Sequence, residues 1–256
     1  MTSQQDIADG YVRSQVEGGV ATITFFHPKS NSLPGRLLAE LAAAVTEAGK
    51  NADARVIVLR SDGDGPFCAG ASFAELQAIA DAESGKRFFM GFVNLIIAMI
   101  RAPKFVVTRV HGKVVGGGVG IVSASDFAIA ASGASLKLSE LAVGLGPFIV
   151  GLPIQKKIGL GPFSAMAVDA DWRDAEWGYR HGLYAELHDN VASLDEALMK
   201  RVQTLASSNP EAMAQLKKVF WDGTEDWSAE LDARAGMSGT LVLSDFTSKA
   251  VGRTGS

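Results

Sequence analysis

Phe67-Cys68-Ala69-Gly70-Ala71-Ser72 and Gly116-Gly117-Gly118-Val119-Gly120 decide the reading of this chain. Each is a run of small residues close behind a predicted strand, where a bare backbone N–H can reach a ligand. Two such groups aimed at one carbonyl oxygen make an oxyanion hole. One good donor in such a hole lowers a reaction barrier by about 3 kcal/mol. Spacing alone does not bring the two runs together.

Working outward from the first run, Arg55-Val56-Ile57-Val58-Leu59-Arg60 is β-branched and predicts a buried strand. A Gly-rich loop over Asp62–Ala71 follows it. Ser72-Phe73-Ala74-Glu75 then fits the capping-box pattern S-x-x-E, in which hydroxyl and carboxylate each satisfy an orphan N–H. Ala71 therefore falls at a loop-to-helix junction, where N–H groups are free and the helix dipole is positive. Around the second run, Phe105–Val110 predicts a strand and Gly116–Ala124 begins a helix.

Farther out, Tyr11–Glu17 and Val20–Phe26 flank Gly18-Gly19 as a β-hairpin. Pro34 opens a helix with Leu37, Leu38, Leu41 and Val45 on one face. Another helix covers about Gly85–Ile100 and stops at Ala102-Pro103. Asp126–Ala130 and Leu136–Leu138 read as short strands. From Gly146 onward the pattern is helical, with one helix opening on Asn209-Pro210-Glu211. Strands alternating with helices, then helices only, predict an α/β core with a helical C-terminal region.

The bulk numbers agree with an α/β globule and narrow its partners. Of 256 residues, 47% are hydrophobic and 20% charged, enough for a substantial core. The net charge of −4, with no basic block longer than a pair such as Lys217-Lys218, argues against nucleic-acid binding. The single cysteine, Cys68, permits no internal disulfide and suits a reducing, cytoplasmic setting. The N-terminus lacks a secretory pattern. Phe88–Ile100 is too short to span a bilayer and contains Asn94, so no membrane partner is expected. The histidines show no metal-ligand spacing, and none is expected to bind a metal. His181 and His188 flank a turn at Gly182 and are expected at the surface.

Four segments in order resemble the crotonase family, the enoyl-CoA hydratase/isomerase group. His27-Pro28-Lys29-Ser30-Asn31-Ser32-Leu33 resembles its P-x-x-N-x-L segment, and Phe67-Cys68-Ala69-Gly70-Ala71 its F-C-A-G-x loop. Gly112 with Gly116-Gly117-Gly118 resembles its G-x-x-x-G-G-G turn. Leu138-Ser139-Glu140-Leu141-Ala142-Val143-Gly144-Leu145-Gly146-Pro147 is similar to its P-E-x-x-x-G-x-x-P segment. The resemblance runs from about Val20 to Val251. It implies a crotonase-like spiral of β-β-α units over residues 1–195 and a C-terminal helical oligomerisation region over 196–256. It also implies a trimer or dimer of trimers, an acyl-CoA thioester as substrate, and no further cofactor.

The same resemblance implies roles for individual residues. The N–H groups of Ala71 and Gly117 become the oxyanion donors, with Glu140 as the acid/base. Gly70, Gly116, Gly120 and Phe148 are placed against the substrate, Ala69 offers its carbonyl to the adenine, and Lys29 lies near the CoA phosphates. Each has a plainer reading: tight packing for Ala69, an exposed turn lysine for Lys29, a surface carboxylate for Glu140. Burial among Leu138, Leu141, Ala142 and Val143 would raise the Glu140 pKa toward the range useful for proton transfer.

Departures from the family pattern shape the expected chemistry. Two-carboxylate hydratases of this family carry a second glutamate where this chain has Gly120. The aspartate that often follows the first oxyanion residue is Ser72 here. Phe148-Ile149-Val150-Gly151 is bulkier and more apolar than the usual glycine-rich stretch, as an acyl-pocket wall or as ordinary core. Enoyl-CoA hydration, in fatty-acid or branched-chain acyl breakdown, ranks first. Double-bond isomerisation and decarboxylation, which need one proton carrier, follow. A non-catalytic acyl-CoA-binding protein is the reading outside enzymes. A nucleotide site lacks both G-x-G-x-x-G and G-K-S/T, and a serine hydrolase lacks G-x-S-x-G.

Overall fold

The computed structural model describes residues 4–252. After α1 (Gln4–Asp9), β1 (Tyr11–Glu17) and β2 (Val20–Phe26) pair antiparallel. Gly18 and Gly19 join them with φ of +55° and +82°, the left-handed pair that a tight two-residue hairpin needs. Then come α2 (Gly35–Lys50), β3 (Val56–Ser61), α3 (Phe73–Ala78), α4 (Ala82–Arg101), β4 (Val106–Val110), β5 (Val114–Val115), α5 (Gly117–Ser123), β6 (Phe127–Ala131) and β7 (Ser135–Lys137). The remainder is α6 (Phe148–Ile158), α7 (Leu160–Asp169), β8 (Arg173–Asp174), α8 (Ala175–Arg180), β9 (Glu186–His188), α9 (Val191–Ala206), α10 (Pro210–Phe220), α11 (Trp227–Leu241) and α12 (Asp245–Ala250).

The large sheet has the order β1-β2-β3-β4-β6-β9, parallel from β2 onward, and a small sheet has the order β5-β7-β8. Successive turns of chain place one strand in the large sheet and the next in the small one, as β4 then β5 and β6 then β7. That alternation is the expected β-β-α spiral. Both faces of the parallel strands are covered, which is why β3 and β4 read as continuous apolar runs. Ile57 and Leu59 face the core beneath α2 and α4, while Val56 and Val58 face α9 and α10.

The expectation of helices alone after Gly146 is corrected by β8 and β9. β9 extends the large sheet through Ile129↔Glu186 and Ala130↔Leu187. The two histidines expected at the surface are half-buried instead. His181 stacks on Trp177 with ring centroids 4.0 Å apart, and His188 Nε2 lies 3.1 Å from Glu186 Oε2. The boundary expected after residue 195 falls inside α9. The C-terminal helices pack back onto the chain's own core, with α11 lying along α4. Asp126 anchors them: its carboxylate meets buried Lys217 at 2.8 Å and Trp221 Nε1 at 2.9 Å. No helix among the described residues is long and apolar enough to cross a membrane.

Candidate active site

The two glycine-rich runs do converge, and backbone pairing is the reason. Cys68 bridges Val114 in parallel, with Cys68 N–H donating to the Lys113 carbonyl and Val115 N–H to the Cys68 carbonyl. On the other side Ala71 bridges Leu33: Leu33 N–H donates to Gly70 O at 2.7 Å and Ser72 N–H to Leu33 O at 3.1 Å. Gly70 has φ of +86° and packs so closely that a Cβ there would lie 3.0 Å from the Val115 carbonyl and 3.7 Å from the Gly117 nitrogen. The loop after β3 is thus stitched beside the start of α5.

This stitching uses the neighbouring donors and leaves two over. Gly70 N–H points to Cys68 Sγ, Ser72 N–H to Leu33, and Gly116 N–H to Lys137 O. The N–H groups of Ala71 and Gly117 have no partner among the described residues. Gly117 is the first residue of α5, so its N–H has no acceptor within the helix. The expected capping box at α3 forms only in half. Ser72 Oγ accepts from Glu75 N–H, but the Glu75 carboxylate reaches across to Gly35 N–H at 2.8 Å and ties α3 to α2.

Glu140 opens a 3₁₀ turn over Leu141–Val143 and its carbonyl accepts from Val143 and Leu145. Its carboxyl group lies over Gly116, where a Cβ would come within 3.0 Å of Oε1. The residue is half-buried, yet Oε2 is shielded from solvent and unpartnered. Burial pushes its pKa up from 4.5 to about 7, against weaker backbone N–H contacts from Glu140 itself and Ser139. Such a group takes and returns protons at neutral pH.

The shift fixes a stability prediction. The folded carboxyl binds its proton more tightly than the unfolded one, so its contribution to stability falls as pH rises from 4.5 to about 7, then stays flat. Glu140→Gln removes that loss. Urea unfolding should show the variant gaining about 3 kcal/mol over the parent between pH 4 and pH 8. A stability difference that does not change with pH would contradict the burial of the charge.

Both sites open on a cavity of about 70 Å³. Ala69, Gly70, Ala71, Gly116, Gly117, Glu140 and Phe148 all line it. Two expected substrate contacts do not. Lys29 is exposed on the turn leading to Leu33, outside the cavity lining. Gly120 is buried beneath Val150: a Cβ on Gly120 would lie 2.4 Å from Val150 Cγ1 and 3.2 Å from its Cα. Any side chain at that position would force Val150 to move, and Val150 itself forms the wall there. Cys68 is no nucleophile, since complete burial pushes its thiol up to about 12.

Several lining residues escaped the sequence reading, among them Leu76, Phe89, Phe92 and Ser238. Phe92 on α4 crowds Gly117, whose Cβ would meet the ring at 2.2 Å. Ser139 stands beside Glu140, and Ser238 comes from α11. The only available signal for Ser238 is a polar residue within the stripe Leu231, Ala235, Gly239, Val242.

A family model described as enoyl-CoA hydratase/isomerase matches residues 15–250. Among curated relatives, a "(7aS)-7a-methyl-1,5-dioxo-2,3,5,6,7,7a-hexahydro-1H-indene-carboxyl-CoA hydrolase" of Mycobacterium tuberculosis is 30% identical over 215 residues, covering 80% of this chain and 81% of the relative. A crotonyl-CoA hydratase of Syntrophomonas wolfei is 28% identical, covering 74% and 72%. The crystal structure of an enoyl-CoA hydratase from Bacillus halodurans superposes with a TM-score of 0.85 at 19% identity, over 95% of this chain and 100% of that one, a likeness of fold.

Proposed function

The chain belongs to the enoyl-CoA hydratase/isomerase family, and we propose that it adds water reversibly to the double bond of a 2-enoyl-CoA thioester, with Glu140 as its single proton carrier. The observation that carries this reading is the unpartnered, buried Oε2 of Glu140, on a side chain that lies against the residue before the Gly117 donor. The thioester oxygen takes the N–H groups of Ala71 and Gly117. Water oxygen bonds to Cβ and its proton goes to the Glu140 carboxylate. The alkene electron pair moves onto the thioester oxygen as an enolate, which the two donors stabilise. Glu140 then delivers the proton to Cα, and the carboxylate is regenerated.

A pKa of about 7 suits both halves of that cycle. The hydratase of Syntrophomonas wolfei is named for this reaction on crotonyl-CoA. For the rest of the ligand, Ala69 would offer its carbonyl to the adenine and Lys29 a point charge to the phosphates. A homotrimer or dimer of trimers, built through the C-terminal helices, completes the proposed assembly. A second reading, migration of a double bond between C3 and C2, is favoured by Val150 over Gly120, which leaves Glu140 as the one carboxylate among the described lining residues. The test follows crotonyl-CoA and a 3-enoyl-CoA in parallel. Hydration predicts loss of the conjugated chromophore from crotonyl-CoA with formation of the 3-hydroxyacyl thioester. Conversion of the 3-enoyl substrate alone would replace hydration by the second reading. Saturable binding without either reaction would leave a binding protein.

A further inference from the structure

We infer that β1 is an interaction surface whose partner is a second copy of this chain, paired antiparallel through the same strand about a twofold axis at Ser14. β1 is an outer strand of the large sheet and pairs only with β2. Its seven residues run against β2 in unbroken register, from Tyr11↔Phe26 to Glu17↔Val20, with no bulge. Glu17 and Val20 flank the two-residue turn as a hydrogen-bonded pair. Bonded and non-bonded pairs alternate along an antiparallel ladder, so Tyr11, Arg13, Gln15 and Glu17 bond to β2. Val12, Ser14 and Val16 therefore turn their N–H and C=O groups to the open side. Those groups meet no partner among the described residues. Proteins blunt such an edge with brevity, a bulge, proline, lysine or a covering element. The far edge of the same sheet uses brevity, since β9 has three residues. β1 uses none of these devices: it contains no proline or lysine, and Arg13, Ser14 and Gln15 are exposed.

The residues of β1 suit a copy of the same strand. Val12-Arg13-Ser14-Gln15-Val16 has valine at both ends and serine at the centre, in either direction. Antiparallel pairing centred on Ser14 sets Val12 of each copy opposite Val16 of the other, and Ser14 opposite Ser14. Every outward N–H and C=O of the three residues then finds a partner. A register shifted by two residues carries one of the three past the end of the partner strand. Val12 and Val16 are half-buried against the core, and pairing shields what remains of both. On the other face the only charges are Arg13 and Glu17. Antiparallel order carries Arg13 of one copy toward Glu17 of the other, whereas parallel pairing in register would stack like charges. No residue of β1 lines the acyl cavity, so this contact stands or falls apart from the catalytic reading.

Sedimentation equilibrium supplies the test. The parent is expected to carry an even number of chains, and Ser14→Pro half that number. Proline deletes one outward N–H that no bond to β2 uses, a position where an edge strand tolerates it. Circular dichroism checks the fold, and a cysteine gives a second readout should the proline variant misfold. The single native cysteine, Cys68, is buried, so Ser14→Cys adds the one accessible thiol. Opposed Cα atoms in a hydrogen-bonded pair lie about 5.5 Å apart, within disulfide reach. Mild oxidation should link Ser14→Cys into covalent dimers about tenfold or more faster than Lys200→Cys, a collision control on the exposed side of α9. A parent of one chain, or of any odd number, would overturn the proposal and leave the edge to a different partner. Equal masses for the folded parent and Ser14→Pro would overturn it, as would cross-linking no faster at 14 than at 200. Halved mass without cross-linking at 14 would overturn the pairing centred on Ser14.

Discussion

Glu140→Gln is expected to lower turnover of the native thioester by about 10²- to 10⁴-fold while ligand affinity changes little. Glutamine keeps the volume and polarity that fill the space over Gly116, but it cannot shuttle a proton. The structure gives this prediction its sharpness. Among the described residues no other carboxylate lines the cavity, and the position where a second one would stand is covered by Val150. No second carboxylate among the described residues stands ready to take over the proton. The check is a steady-state assay of kcat with Kd measured alongside. A variant within threefold of the parent rate, on folded protein, would remove Glu140 from the chemistry.

Removing the Gly117 donor should cost about a hundredfold or more in turnover. Proline at 117 deletes the N–H, and its place as first residue of α5 suits a helix start. The crowding by Phe92 complicates the experiment, because any Cβ at Gly117 meets the ring at 2.2 Å. Gly117→Ala supplies the control. It carries the same Cβ and the same displacement of Phe92, yet retains the donor. The loss that proline shows beyond alanine measures the hydrogen bond itself, once circular dichroism confirms that both variants fold. Equal losses in the two would assign the effect to Phe92 and leave the Gly117 N–H without a role.

The fold was legible where local chemistry decides it. The Gly18-Gly19 turn, the β-branched runs of β3 and β4 and the Asn209 cap of α10 are dictated by residues within a few positions of one another. β9 escaped because Glu186-Leu187-His188 is too short to establish a period and has no β-branched residue, and only pairing with β6 makes it a strand. Half of the Ser72 capping box failed for the same reason, since a long-range donor at Gly35 captured Glu75.

The site divides in the same way. The small residues at 67–71 and 116–118 announced close backbone approach, and family order connected them, but the bridge from Cys68 to Val114 is what joins them. Position 120 gave a correct warning that an acid is missing. That Val150 fills the space depends on α6 packing over α5, which no local pattern encodes. Ser238 lies on a helix far along the chain and enters the cavity only because α11 folds back onto α4 and α6.

Hydrogen exchange at Cα of butyryl-CoA in deuterium oxide tests the central claim most directly, because it needs only an enolate, the two donors and Glu140. The account predicts that the protein incorporates deuterium at Cα, at a rate rising with pH through about 7 as Glu140 becomes the carboxylate base. It predicts that Glu140→Gln binds the same ligand and exchanges at least a hundredfold more slowly. Bound butyryl-CoA that acquires no deuterium in the parent, or exchanges equally fast in Glu140→Gln, would contradict it.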